Sequence, residues 1–395
     1  MFRIIDIARE ISSGITPLRS NSEYWENGTI PWLKTEQIGE YRIKTTNEFV
    51  TEKALESTGL KLYPKNTISI AMYGEGKTRG NVSIIDCPMT TNQACCNIVV
   101  NESIVAPFYL YYFFKTQYHN LRQLSSGVRK NLNSNDIKNY LINLPNKITQ
   151  QNIVNFLCSI DEKIELNNKI NLELEKIAKI LYEYWFVQFD FPDENERPYK
   201  SSGGAMVYNE VLKREIPVDW SNCTLNDICE MYQPQTLQED NLIDNGNFFV
   251  YGANGIIGKY NEYNHSESEI AIACRGNSCG ILNRTLPNSW ITGNAMVIKL
   301  KDNEINNEYL YHALNYTNIK GIITGSGQPQ ITRVNLAPVK ILMPNKNIIL
   351  KYCSLIEENV KLRLKNELEN QKLTKLRNFL LPMLMNGQIS IVTTE

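Results

Sequence analysis

The stretch IVNFLCSIDEKIELNNKINLELEKIAKILYEYW, residues 153–185, has an apolar side chain at alternating steps of four and three along most of its length. Such a seam, with a period of 3.5 residues, is typical of a helix that packs lengthwise against another helix. The seam positions are Ile153, Leu157, Ile160, Ile164, Asn167, Asn171, Leu174, Ala178, Leu181 and Trp185. The pattern predicts a long helix over residues 148–186.

A second copy of the seam lies 199 residues further along the chain and predicts a second helix over residues 346–386. Its positions are Tyr352, Ile356, Asn359, Arg363, Asn366, Asn370, Leu373, Arg377, Leu380 and Leu384. The register asparagines Asn167 and Asn171 match Asn366 and Asn370, and a polar Asn in an apolar seam fixes register and partner at some cost in stability. Two matched helices most simply pair with each other. Arg363 and Arg377 interrupt the second seam, which leaves open that it faces a further partner there.

The similarity continues upstream of both helices and indicates a tandem duplication of a globular module followed by a helix. The matches pair residues 70–72 with 270–272, Gly76 with Gly276, Gly80 with Gly280, 109–111 with 309–311, and 126–127 with 326–327, all at an offset of 200. Strand-like and helix-like runs are mixed within each module. The predicted fold class is α+β: two similar globular domains joined by two long antiparallel coiled-coil helices, in a pseudo-two-fold internal repeat.

The predicted boundaries place a first domain at residues 1–147, the first helix at 148–186, a linker at 187–216, a second domain at 217–345 and the second helix at 346–386. The linker prediction rests on a polar stretch between two prolines and on the Ser-Ser-Gly-Gly sequence at 201–204, which is typical of flexible chain. Residues 106–115 predict a buried amphipathic helix. The aromatic cluster at 182–189 is expected to pack the end of the first helix onto a module, with a surface for a partner protein as the alternative.

Composition limits the classes of protein that the chain can belong to. With 395 residues and 42% hydrophobic content, it is long enough for two or more cores. No run reaches the 18 or more apolar residues of a membrane span, and the first residues are too charged for a signal peptide. Nine cysteines favour reduced thiols and a cytoplasmic location. A zinc site at Cys223, Cys229, Cys274 and Cys279 is the less favoured interpretation, since their spacing is loose.

A search for catalytic motifs finds none that is complete. The sequence GEGKT at residues 74–78 resembles a phosphate-binding loop, but the chain after it predicts a turn and a strand where that motif requires a helix. We therefore predict a glycine-rich hairpin at this position. The chain has no Pro-Pro pair and so lacks the tetrapeptide with which amino-methyltransferases hold a flipped base. The three histidines, His119, His265 and His312, form no metal or triad pattern.

Each module instead has a pair of polar, glycine-rich loops at corresponding positions. Arg can bind guanine O6 and N7, Gln or Asn can bind adenine N6 and N7, and Lys and Ser suit phosphates. The net charge of −1 is weak evidence against a protein that binds nucleic acid alone, but it does not exclude local basic loops. Solvated turns are the alternative interpretation. The candidate DNA-binding residues are Lys34, Lys77, Arg79, Arg129, Lys130, Asn131, Arg275, Asn277, Ser278, Gln328, Gln330 and Arg333.

One family resemblance is carried by the centre of the chain. The sequences LYEYWFVQFDFP at 181–192, YKSSGG at 199–204, MV at 206–207 and REIPVDW at 214–220 together resemble the specificity subunits of type I restriction–modification enzymes. LLPMLMNGQI at 380–389 is similar to the end of the family's second helix. The resemblance covers essentially the whole chain, although the modules themselves are variable and carry little family signal.

The resemblance implies that each module is a target recognition domain that reads one half of a split double-stranded DNA sequence. The two helices would act as a spacer. Two methyltransferase (modification) subunits would dock on this chain, and restriction (translocase–nuclease) subunits would join them for cleavage. The chain itself would need no cofactor and would not be an enzyme, because the S-adenosylmethionine and ATP chemistry would belong to those partners.

Helix length gives an expectation for the DNA target. A helix of about 38 residues is roughly 57 Å long, which corresponds to about one and a half turns of duplex. We therefore expect a bipartite site of roughly 13–15 base pairs, with two short specified elements.

Two other functions remain as alternatives. The first is an assembly scaffold with two interaction modules on a coiled coil and no DNA reading. The second is a self-contained modifying enzyme, which the missing motifs disfavour.

Overall fold

The computed structural model describes residues 1–74, 76–124, 131–243, 246–302, 304–325 and 327–391. The chain divides into two compact units. Unit 1 comprises Met1–Leu166 and Glu369–Glu395, and unit 2 comprises Asn167–Leu368. Each unit therefore contains one globular module together with parts of both long helices.

The first module mixes strands and short helices. Its strands are β1 (Phe2–Arg3), β2 (Ala8–Ser13), β3 (Ile30–Leu33), β4 (Arg42–Ile43), β5 (Glu48–Val50), β6 (Ile68–Ala71), β7 (Val82–Ile85), β8 (Thr90–Thr91), β9 (Cys95–Val100) and β10 (Leu141–Ile142). Its helices are α1 (Ile4–Ile7), α2 (Glu52–Ser57), α3 (Pro107–Thr116), α4 (Tyr118–Gln123) and α5 (Ser134–Lys138). The sheets have the strand orders β2-β9-β6-β7-β4, β5-β3-β8 and β1-β10.

The first long helix, α6, spans Lys147–Tyr182 and continues as a π-helical turn over Glu183–Val187. The strands after it are β11 (Met206–Asn209), β12 (Arg214–Pro217), β13 (Ser221–Thr224), β14 (Cys229–Tyr232), β15 (Phe248–Gly252), β16 (Gly255–Tyr260), β17 (Ile270–Ala273), β18 (Leu282–Arg284), β19 (Trp290–Ile291), β20 (Ala295–Leu300) and β21 (Lys340–Met343). The helices after it are α7 (Leu225–Ile228), α8 (Asn307–Asn315), α9 (Arg333–Leu336) and the second long helix, α10 (Lys346–Met385). The sheet orders are β14-β20-β17-β18, β16-β15-β19, β13-β21 and β11-β12.

The two modules have the same topology, which confirms the α+β class and the internal repeat. The order β2-β9-β6-β7 in unit 1 corresponds to β14-β20-β17-β18 in unit 2, and the parallel pair β3-β8 corresponds to β15-β19. The hairpin predicted at residues 74–78 is also confirmed, because β6 and β7 pair antiparallel.

The alignment of residues 70–72 with 270–272 is wrong by two positions. Ile98 pairs with Ile68 in unit 1, and the matching Ile298 pairs with Ile270 in unit 2. The equivalent of Ile270 is therefore Ile68, at an offset of 202. The physical reason is that the loop after β6 is two residues longer than the loop after β17, and both loops return at a matching glycine, Gly80 or Gly280.

The long helices pair antiparallel within each unit. In unit 1, Asp161 contacts Arg377 while Lys163 lies 3.4 Å from Glu369. In unit 2, the side chain of Asn366 donates to Asn171 Oδ1 at 2.9 Å, and Tyr352 Oη donates to Ala178 O at 3.2 Å. In both units the residue number rises along one helix as it falls along the other.

The two arginines of the second seam form ion pairs within the chain, so the expectation that they face another protein is not supported. Arg363 Nη1 lies 3.1 Å from Glu175, and its other terminal nitrogen contacts Glu308. Arg377 contacts Asp161, whose other carboxylate oxygen accepts a 2.6 Å hydrogen bond from Tyr112. The sequence seam suggested a partner because the carboxylates that neutralise Arg363 and Arg377 stand outside the heptad positions.

The aromatic cluster at the end of α6 packs onto the module of unit 2, as predicted. Tyr182, Trp185, Phe186 and Phe189 are buried in the core of that unit, whereas Tyr184 is 37% exposed. Large aromatic side chains buried in this way dominate the free energy of a core.

The segment at 187–216 is not the flexible linker that its polar composition predicts. Phe191 is buried between Tyr199 and Trp220, with ring centroids 4.7 Å from each. The carboxylate of Asp190 accepts hydrogen bonds from the backbone and hydroxyl of Ser201 at 2.8 and 2.7 Å. The segment continues into the β11–β12 hairpin, so a few aromatic contacts order a stretch that is otherwise polar.

The helix predicted at 106–115 is present as α3, and five of its residues are buried in unit 1. Tyr109 and its match Tyr309 are each only 1% exposed. The second long helix ends at Met385, before Gly387, whose φ of +69° is a conformation that favours glycine. Across the described residues, none of the helices combines the length and apolarity needed to cross a bilayer.

Candidate nucleic-acid interface

Cys274 marks the place where two predicted loops of unit 2 meet. It follows β17, and its backbone N–H donates to Asn294 O at 3.1 Å while its carbonyl accepts from Ile331 N–H at 3.0 Å. Gly276 N–H donates to Pro329 O at 2.9 Å. Loop A2 (residues 274–280) and loop B2 (residues 324–333 without residue 326, ending at the first residue of α9) therefore run side by side, held by backbone hydrogen bonds.

All six candidate residues of unit 2 lie on these two loops. Arg275 forms a backbone bridge with Gln330, so the two side chains belong to neighbouring strands of one small ladder. The side chains that are exposed are Arg275, Asn277, Gln328, Gln330 and Arg333, and Ser278 is half-buried. Within the described part of the chain, Arg275 and Arg333 take part in no salt bridge. Their charges are therefore available to a ligand.

Gly280 shows why loop A2 needs glycine at its end. Its φ is +92°, in the region that L side chains rarely adopt, and its N–H donates to Ala273 O at 2.8 Å to close the turn. Gly80 has the same role in unit 1, with φ +86° and a 2.9 Å hydrogen bond to Ala71 O.

Unit 1 repeats this arrangement around Met72. The N–H of Met72 donates to Ala94 O at 2.9 Å, and its carbonyl accepts from Leu132 N–H at 3.1 Å. Loop A1 (residues 72–80, without residue 75) carries Lys77 and Arg79, and Asn131 lies next to Leu132.

Helix α4 fixes loop A1 through two hydrogen bonds to its backbone. Tyr118 Oη donates to Lys77 O at 2.9 Å, and Arg122 Nη1 donates to Arg79 O at 3.0 Å. The side chain of Lys77 is exposed, while Arg79 and Asn131 are half-buried. Of the remaining candidates in this unit, Arg129 and Lys130 lie outside the described residues.

Lys34 differs from the other basic candidates because its charge is already neutralised. Its Nζ lies 2.6 Å from Glu48 and 3.0 Å from Glu36, and these two carboxylates raise the pKa of the amine, Glu48 most strongly. Glu48 also contacts Arg19. Lys34 could bind a phosphate only in exchange for these two carboxylates.

The register asparagines lie in the helix pair. Asn167 is fully buried, and Asn366 is 5% exposed and bonded to Asn171. The carboxamide of Asn171 in turn donates to Arg363 O at 3.3 Å. Asn370 is half-buried on α10 in unit 1.

Cys274 is a structural thiol at the base of these loops. Burial raises the pKa of its thiol, and the hydrogen bond from Gln233 acts in the opposite direction. It therefore stays protonated at neutral pH. All nine cysteines are free thiols, and the described residues contain no group of three or more His, Cys, Asp or Glu side chains arranged to hold a metal ion.

One further loop in each unit, at residues 13–18 and 233–238, carries no signal at the offset of 200 residues that relates the other loops. The signal that could have revealed them is a weak match at an offset of 221, in which Asp6-Ile7 corresponds to Asp227-Ile228. Each aspartate accepts a hydrogen bond from the backbone N–H of the residue just before its helix, Asp6 from Arg3 at α1 and Asp227 from Thr224 at α7.

Comparison with known proteins agrees with the repeated architecture. The family model "Type I restriction modification DNA specificity domain" matches residues 1–176 and again residues 217–376. The MjaIX type I restriction enzyme specificity subunit of Methanocaldococcus jannaschii is 28% identical to this chain, and the match covers 98% of this chain and 93% of that protein. The EcoprrI specificity subunit of Escherichia coli is 24% identical, over 85% of this chain and 81% of its own length.

Among solved structures, the S subunit of a type I restriction–modification system from M. genitalium has a similar fold. Its TM-score is 0.57 at 20% identity, and the alignment covers 100% of this chain and 96% of that one. With two copies of the domain covering most of its length, the chain belongs to the type I restriction–modification DNA specificity family.

Proposed function

We propose that the chain is the non-catalytic DNA-recognition subunit of a type I restriction–modification complex, and that each unit reads one half of a split target sequence. The observation that carries this proposal is the repeated loop pair. In both units, an equivalent backbone hydrogen bond ties the first residue after the central strand, Met72 or Cys274, to the chain just before a short helix, at Leu132 or Ile331. The backbone arrangement is the same, while the side chains on it differ.

The loop side chains have the chemistry that base reading requires. Arg275 and Arg333 are exposed cations, each able to bind guanine O6 and N7 with two hydrogen bonds. Gln328 and Gln330 can do the same with adenine N6 and N7. Lys77 in unit 1 is exposed and suits a phosphate. These differences between the units support two different half-sites.

The proposed protein partners are two methyltransferase subunits, joined by restriction subunits for cleavage. Exposed apolar residues on the long helices support a docking role. In unit 2, Leu172, Ile177 and Ile180 on α6 are each more than 50% exposed. In unit 1, Phe379 on α10 is 64% exposed. Apolar side chains grouped on a surface mark sites of protein interaction more often than isolated ones do.

Module exchange tests the proposal. Residues 1–147 would be replaced by the corresponding module of another specificity subunit, and the methylated DNA motif would be read by long-read sequencing in cells that supply the methyltransferase subunits. We expect one half of the motif to change and the other to remain. The reciprocal exchange of 217–345 is the matched control, since it should change only the other half. A change in both halves, or in neither, would contradict the proposal.

The scaffold alternative is not favoured, because the family match concerns DNA specificity. A gel-shift assay separates the two functions. Methyltransferase subunits would be mixed with target DNA with and without this chain, and the scaffold function predicts no sequence-dependent shift in either case.

A further inference from the structure

A third loop lies beside the start of loop A2 in unit 2. It spans residues 233–238 and follows β14, which ends at Tyr232. The side-chain amide of Gln233 donates to Cys274 Sγ and to Gly293 O, both at 3.1 Å. Because Cys274 begins loop A2, these bonds fix the start of the third loop against the candidate interface.

The other end of this loop is also anchored. Leu237 N–H donates to Thr292 Oγ1 at 3.2 Å. Between the two anchors the chain crosses Gly293 so closely that a Cβ there would lie 2.6 Å from Thr236 Oγ1 and 3.0 Å from Pro234 O. The backbone of the loop is therefore held in place at both ends and in its middle.

Gln235 lies at the middle of this anchored loop, and its side chain is exposed. No hydrogen bond or ion pair within the described residues involves its carboxamide. An exposed carboxamide on a fixed backbone has the form of a group that reads a base, since one amide can donate to and accept from adenine N6 and N7 at once.

Unit 1 has the same loop at residues 13–18. Ser12 pairs with Asn97 as Tyr232 pairs with Val297, so Thr16 corresponds to Thr236 and Ile15 to Gln235. Ile15 N–H donates to Thr91 O at 3.0 Å, and Thr16 Oγ1 donates to Gln93 Oε1.

A close backbone crossing also recurs in unit 1, because a Cβ on Gly14 would lie 1.9 Å from Thr91 O. The side chain of Ile15 is 38% exposed, and an aliphatic group at this place suits contact with the methyl group of thymine. The two units therefore hold different side chains at one equivalent position.

We propose that residues 13–18 and 233–238 form a third reading loop in each unit, and that Gln235 specifies a base pair in the half-site of unit 2. The inference rests on the proposed DNA-reading function. Gln233 is a positioning residue in this arrangement, since it holds the loop against Cys274 and Gly293.

Methylation by the assembled complex tests Gln235. The variant Gln235→Ala would be expressed with the methyltransferase subunits, and the methylated motif would be compared with that of the unaltered complex. We expect about a ten-fold loss of discrimination at one or two adjacent base pairs of one half-site, with the other half unchanged. The matched control is Gln188→Ala, an exposed glutamine after the π-helical turn of α6, which should leave the motif unchanged.

A second variant moves the loop without altering a candidate reading side chain. Gly293→Ala places a methyl group against Thr236 and Pro234, so it should relax the same base pairs as Gln235→Ala. If Gln235→Ala left the methylated motif unchanged, the proposal of a third reading loop would be wrong. Equal loss of discrimination in both half-sites would also contradict it. If the unaltered complex itself methylates no split motif, the proposed function fails, and that result is distinct from the failure of the loop.

Discussion

His312 is a buried titratable side chain in unit 2, only 2% exposed on α8. Its ring stacks on Tyr182 with centroids 5.5 Å apart, and its Nε2 lies 4.0 Å from the carboxylate of Glu308. Burial lowers the pKa of His312 below its usual value of 6.5, and the charges of Arg284 and Arg363 act in the same direction. Glu175 and Glu308 act against them but do not reverse the effect.

The lowered pKa of His312 predicts acid sensitivity of unit 2. Below pH 6.5 the unfolded chain binds a proton at this residue before the folded protein does, so the free energy of unfolding should fall as the pH decreases through this range. Calorimetric unfolding of the wild type and of His312→Asn between pH 7.5 and 5 measures the difference in slope. The exposed His119, changed in His119→Asn, is the control. Equal slopes in the wild type and His312→Asn would contradict the prediction.

Residue identity alone did not separate the basic candidates. Lys34 and Arg275 were predicted on the same chemical grounds, yet Lys34 is neutralised by Glu36 and Glu48, and Arg275 has no acidic partner among the described residues. Glu48 lies on β5, and only the pairing of β5 with β3 brings it near Lys34. The distance between Lys34 and Glu48 cannot be predicted from a sequence pattern.

At the scale of elements, the asparagine pair is the most specific contact between the two long helices of unit 2. Asn366 donates to Asn171 Oδ1 at 2.9 Å, and Asn171 donates to Arg363 O. Buried amides in an apolar seam are satisfied only in one register, because a shift by one heptad would leave them unpaired.

A double-mutant cycle tests this contact. Asn366→Leu leaves the carbonyl oxygen of Asn171 without its donor and should lower the free energy of unfolding by about 1–3 kcal/mol. The double variant Asn171→Leu with Asn366→Leu should recover part of that loss, since both polar groups are gone. Urea unfolding followed by tryptophan fluorescence gives the energies. If Asn366→Leu were as stable as the wild type, the hydrogen bond between Asn366 and Asn171 would not select the register of the two helices.

The elements differ in how well they could be predicted. The two long helices and α3 carry dense apolar patterns, and the structure has them within a few residues of the predicted bounds. The segment at 187–216 was predicted as a linker from its polar composition, whereas its order depends on stacking of Phe191 with Tyr199 of the same segment and with Trp220 beyond it. Local composition can predict a flexible segment, but it does not show which side chains pack together in the folded protein.

At the scale of the whole molecule, we expect the pairing of surface charges to limit where DNA can bind. The net charge is −1, and many surface lysines are matched by carboxylates, as Lys61 is by Glu10 and Lys65 by Asp86. Arg275 and Arg333 are exceptions on the loops of unit 2. An almost neutral chain should therefore bind DNA through a few local cations and through its partner subunits.

Salt dependence of DNA binding checks this distribution of charge. The variants Arg275→Ala and Arg333→Ala would be measured in the complex with methyltransferase subunits. If the arginine binds a phosphate, its loss should reduce the slope of log affinity against log salt concentration by about 1. If it reads guanine, its loss should weaken binding by about 1–3 kcal/mol at one base pair. The control is Lys61→Ala, whose charge is already paired with Glu10. An effect at Lys61 without one at Arg275 would contradict the assignment of loops A2 and B2.

The duplication, the two long helices with their matched asparagines and the resemblance to the specificity family were all readable from the chain, because heptad seams and repeated motifs are local or periodic signals. Three features are visible only in the folded chain. The offset between equivalent strands changes from 202 to 200 residues, and Arg363 and Arg377 form ion pairs inside the chain. The loops that meet around Met72 and Cys274 are the third. These features depend on strand register and on distances between residues far apart in the chain. Packing of the whole module sets those distances, and no short stretch of sequence encodes them.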